Sequence, residues 1–65
     1  MTDEETNAIL LTLIRLHFET TDPVSVYNSM GPAWRAEGRK RIREKISRGE
    51  APSIAIFATK WRLKP

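Results

Sequence analysis

Apolar residues in the front of the chain fall at Ile9, Leu10, Leu11, Leu13, Ile14, Leu16 and Phe18, a spacing that fits a helix and excludes a simple strand. At about 100° per residue, these positions and His17 cover more than half the circumference of a helix spanning residues 3–20, leaving Glu5, Thr12, Arg15 and Glu19 on a narrow polar strip. Thr2 and Glu5 have the spacing of a capping box, and Asp3, Glu4 and Glu5 sit at the positive end of the helix dipole. An arc this wide needs more than one packing surface, and in so short a chain the second surface expected is another copy. Thr20-Thr21-Asp22-Pro23 ends the helix, because the residue before a proline is pushed out of the helical region.

Val24 to Met30 carries two patterns. Val24 and Val26 alternate as in a strand, while Val24, Tyr27 and Met30 line up as in one or two helical turns, which are the expected form. Gly31-Pro32 is a break, and Pro32 suits the first turn of a new helix. From Ala33 to Ser47 the helical pattern returns, with Trp34, Gly38, Ile42 and Ile46 on one side and Arg39, Lys40 and Arg43, among Ala36 and Ser47, on the other. Glu37 with Arg41, and Glu44 with Arg48, are i,i+4 pairs, and Gly49 suits the position after the last turn.

Between Ser53 and Lys64, Phe57, Thr59, Trp61 and Leu63 alternate with Ala58, Lys60, Arg62 and Lys64, which predicts a strand with one apolar and one basic side. As a helix, Ile54, Phe57 and Trp61 would also align. A strand must pair, either with Val24–Tyr27, within the tail, or with the same strand of a second protomer. The pattern as a whole predicts a helix-dominated α+β fold: an N-terminal apolar helix, a basic amphipathic helix and a C-terminal strand in one small domain, residues 1–65, assembled as a homodimer.

Length sharpens the expectation of self-association. A chain of 65 residues buries only about 60% of its unfolded surface, and with no cysteine it has no disulfide to offset that. A single histidine and no cysteine leave no His/Cys metal site and no nucleophile–base constellation, so the expectation is a non-enzymatic protein without cofactor, metal or catalytic residues. The apolar stretch Ala8–Phe18, interrupted by Thr12, Arg15 and His17, falls short of the roughly 20 residues that span a bilayer. With an acidic start where a signal peptide would be basic, this predicts a soluble cytoplasmic protein with no membrane partner.

Charge then points to a partner. Residues 1–33 carry five acids and one base (−4), residues 34–65 ten bases and three acids (+7), and the two sum to the formal +3. A segregated basic half seeks a polyanion or an acidic protein surface. The leading expectation is binding to the phosphate backbone of nucleic acid, DNA first, through Arg35, Arg39, Lys40 and Arg43 on the basic helix and Lys60, Arg62 and Lys64 on the tail. Val24–Met30, Gly31 and the basic helix also follow the order of parts of a helix-turn-helix, although the base-reading N-terminal end would offer mainly Ala33, Trp34, Arg35, Ala36 and Glu37. Trp34-Arg35 and Trp61-Arg62 could stack on bases, but packing in the core is the stronger reading for both tryptophans. His17 is expected at a buried or interface position. The alternative is a small modulator, inhibitor or adaptor of the kind encoded by phages or plasmids, docking its basic face on an acidic protein surface with a tryptophan as anchor.

Overall fold

The computed structural model describes residues 2–57, with the backbone alone described at Ala55 and Phe57. Three helices follow one another: α1 (Asp3–His17), α2 (Pro23–Ser29) and α3 (Pro32–Ser47), after which Ile54–Phe57 forms a 3₁₀ turn. α1 packs against α2, α3 and the 3₁₀ turn. The core is built from Leu10, Leu13 and Ile14 of α1, Met30 after α2, Trp34 and Ile42 of α3, and Ile56 of the turn.

The capping box forms as expected. The Thr2 hydroxyl accepts from the Glu5 N–H at 3.2 Å and the Glu5 carboxylate accepts from the Thr2 N–H at 2.9 Å. Tetrapeptide Thr20–Pro23 does more than stop α1: Asp22 caps α2, accepting the Ser25 N–H at 3.2 Å and the Ser25 hydroxyl at 2.6 Å, with Pro23 in the first turn. Hydrogen bonds from Thr2, the backbone N–H foremost, hold the Glu5 carboxyl below its ordinary pKa, and those from Ser25, the hydroxyl foremost, do the same for Asp22.

α1 and α3 end alike. The Thr20 N–H bonds back to the Arg15 carbonyl at 3.2 Å and the Glu50 N–H to the Lys45 carbonyl at 2.9 Å, the reach of a Schellman close. That close needs a left-handed residue, which is Gly49 (φ 76°) after α3 but Glu19 (φ 51°) after α1. Only glycine adopts this conformation without a steric cost.

Three expectations change. The α+β class gives way to an all-helical arrangement, because the described residues contain no strand. Among the described residues Ile54–Phe57 has no strand to pair with, since one candidate neighbour, Val24–Tyr27, lies within α2. The 3₁₀ turn satisfies the chain locally through Ile56 N–H to Ser53 C=O at 3.0 Å and places Ile56 in the core. The rest of the expected strand, residues 58–64, lies outside the described residues. On α1, the buried stripe is narrower than the apolar arc: Thr6, Leu10, Leu13 and Ile14 are buried, whereas Leu16 and Phe18 remain exposed. Thr6 is fully buried because its hydroxyl donates to the Thr2 carbonyl at 2.8 Å and so carries no unmet hydrogen bond inward. His17 is exposed in the single chain, its ring edge-on to that of Phe18 with centroids 4.8 Å apart.

Two outcomes follow. In urea denaturation Glu19→Gly is expected to stabilise the protein by up to about 1 kcal/mol and Gly49→Ala to destabilise it by about 1 kcal/mol, since the left-handed penalty is removed in one and added in the other. Because Glu5 and Asp22 titrate below their unfolded values, their contribution is complete above about pH 5 and is lost as pH falls through the lowered pKa values. A pH series of melting temperatures should therefore show an acid limb that flattens in Glu5→Gln combined with Asp22→Asn.

Candidate nucleic-acid interface

α3 divides lengthwise into three strips. The first is a row of arginines at i, i+4 and i+8, Arg35, Arg39 and Arg43, which lies over the other two helices. Arg35 places its guanidinium 5.2 Å from the centre of the Tyr27 ring. Arg39 Nη1 donates to the Tyr27 hydroxyl at 3.1 Å and, at a longer 3.5 Å, to Asn7 Oδ1, while the Tyr27 hydroxyl donates to the same Asn7 oxygen at 3.3 Å. Arg43 pairs with Asp3 in the first turn of α1. One row of α3 thus grips Tyr27 of α2 and Asn7 and Asp3 of α1.

The second strip faces the segment after α3. Arg41 pairs through Nε with Glu37 at 3.2 Å and donates from Nη1 to the Ile56 carbonyl at 3.1 Å, which ties the 3₁₀ turn to the helix. Lys45 pairs with Glu50 at 3.2 Å. Glu37–Arg41 is the intrahelical pair the spacing predicts, but Glu44 and Arg48 do not pair. Glu37, Lys40, Arg41, Glu44, Lys45 and Arg48, with Ile56 below, line an open recess of about 310 Å³.

The third strip is the solvent-facing crest: Ala33, Ala36, Lys40, Arg43, Glu44 and Ser47 are all exposed. Lys40 stands in its middle with small side chains a turn before and two turns after it. Lys40 and Arg48 make no ion pair among the described residues. Trp34, at the head of α3, lies in the core at 8% exposure, so its ring is not available for stacking on a base. Lys60, Arg62 and Lys64, and with them Trp61, lie outside the described residues.

Of the basic side chains that sequence reasoning singles out, Lys40 is therefore open on the crest, Arg43 is exposed there but paired with Asp3, and Arg35 and Arg39 are half-buried and engaged within the protein. Arg48 joins the open set. Its exposure was obscured by the i,i+4 spacing to Glu44, which suggests a pair that does not form. Among the described residues no group of histidine, cysteine or carboxylate side chains is placed to hold a metal, and no helix is long and apolar enough to cross a membrane.

The row and the crest separate by substitution. Arg39→Ala removes the Tyr27 contact and should cost about 1 to 1.5 kcal/mol in urea denaturation, whereas Lys40→Ala should stay within about 0.5 kcal/mol of the parent. Comparison with known protein families, curated proteins and solved structures finds no match, so the disposition of charge on α3 carries the functional reading.

Proposed function

We propose that this chain is a non-enzymatic protein that binds duplex DNA, with the crest of α3 as the element that enters the major groove. A helix with its side chains is about 10–12 Å across and the groove about 12 Å wide, so an exposed helix with small flanking residues fits it. The observation that carries the reading is Lys40 at the centre of the exposed crest, between Ala36 and Ser47 and beside the exposed Arg43 and Arg48. α2, the two-residue connection Met30-Gly31 and α3, braced by α1, supply the helix-turn-helix order of parts. In this reading Lys40, Arg43 and Arg48 contact phosphates, joined by Lys60, Arg62 and Lys64, while Arg35 and Arg39 hold α3 at its angle to α1 and α2. The alternative, a modulator docking on an acidic protein surface, loses one of its two anchors, because Trp34 is in the core.

Fluorescence anisotropy on a labelled duplex across a salt series tests this. Six phosphate contacts predict that log K falls against log[salt] with a slope of about −5. Lys40→Ala should weaken binding to every sequence alike and reduce the slope by about 1. Absence of binding at low salt, or a slope that Lys40→Ala leaves unchanged, would overturn the proposal, and binding to an acidic protein in place of DNA would favour the modulator.

A further inference from the structure

The basic rear half of the chain holds three acids, Glu37, Glu44 and Glu50. Glu37 pairs with Arg41 and Glu50 with Lys45, whereas Glu44 makes no ion pair among the described residues, although Lys40 stands four residues before it and Arg48 four after. Its side chain is exposed, and at about 100° per residue it leaves α3 within roughly 40° of Lys40, on the crest that also carries Ala33, Ala36 and Ser47. Glu44 is the only carboxylate of that crest, and a polyanion repels it.

We infer that Glu44 reads a base and selects cytosine, an inference that rests on the duplex-DNA reading of α3. With the crest in the major groove, Lys40 and Glu44 meet different parts of the duplex. The four-carbon stem of Lys40 lets its ammonium reach outward to the phosphates along the groove wall. The Glu44 carboxylate, on a shorter stem, gains nothing from a phosphate and loses water in the groove, so it must find a hydrogen-bond donor there. Guanine shows two acceptors in the major groove, adenine an acceptor beside its amino group, and thymine an acceptor beside its methyl group. Cytosine alone shows a donor, its N4 amino group, and no acceptor. Glu44 therefore accepts from cytosine N4 and is repelled by the acceptors of the other bases, so discrimination comes from rejection as much as from attraction. Ala36 two turns before Glu44 and Ser47 one turn after it are small and exposed, which lets the helix come close enough for so short a side chain to reach a base edge.

Selection from a random-sequence duplex library, followed by anisotropy on the selected duplexes, tests the assignment. The parent protein should enrich cytosine at one position, and replacing that C·G pair by T·A should weaken binding about tenfold. Glu44→Ala should lose the preference at that position alone, bind the T·A duplex more tightly than the parent does, and keep the parent's helical circular dichroism. Glu44→Gln should admit adenine at the same position, because an amide offers both an acceptor and a donor. Duplex binding without a cytosine-enriched position, or with one that Glu44→Ala leaves in place, overturns the inference and leaves the DNA reading standing. So does a Glu44→Ala that tightens binding to every duplex equally, since Glu44 then acts by repulsion alone. Absence of binding to any duplex at low salt overturns both.

Discussion

Every other element of the structure rests on the buried stripe of α1. Leu10 and Ile14 are fully buried, and against them sit Ile42 of α3, Met30 beyond α2 and Ile56 of the 3₁₀ turn. α2 has no buried residue within its own span and is held by the half-buried Val26 and Tyr27. Among the described residues no second core shares the load, and truncating one such central leucine or isoleucine to alanine costs about 2–5 kcal/mol, a large part of the stability a small domain has. The capping box at Thr2 and Glu5 belongs to the same arrangement, because it fixes where the stripe begins.

Charge is organised around that stripe in two layers. The basic side chains of α3 that the rest of the chain engages are mostly arginines: Arg35 over the Tyr27 ring, Arg39 to the Tyr27 hydroxyl and Asn7, Arg43 to Asp3, and Arg41 to Glu37 and the Ile56 carbonyl. A planar guanidinium serves several partners at once, which an ammonium does not. Lysine appears at position 40 on the open crest, where charge and reach suffice. The acidic front and basic rear of the sequence are thus partly joined within one molecule, at Asp3 and Arg43, and the charge left for a partner is smaller and more localised than the totals suggest.

The helices were legible because each carries its own signals: Thr2 and Glu5 for the start of α1, Pro23 and Gly31-Pro32 for the breaks, and the Trp34–Ile42–Ile46 stripe for α3. The strand reading fails over Ile54–Phe57, which is a 3₁₀ turn, because strand formation depends on a neighbour the local pattern does not contain. Apolar periodicity shows which residues can be buried and not how much surface the described part of one chain covers; Leu16 and Phe18 stay exposed there. For the candidate site, exposure of Lys40 and Arg43 followed from their side of the helix. Engagement of Arg35 and Arg39 did not, because it depends on Asn7 and Tyr27, which are distant in sequence and carry no pattern of their own.

Native-state hydrogen exchange tests the supporting role of α1 most directly, because it ranks the elements by the free energy needed to open them. Amides over residues 10–14 of α1 and around Ile42 of α3 should exchange only through global unfolding, and those of α2 through a smaller, local opening. Exchange in α1 that is as fast as in α2, or faster, would contradict the account.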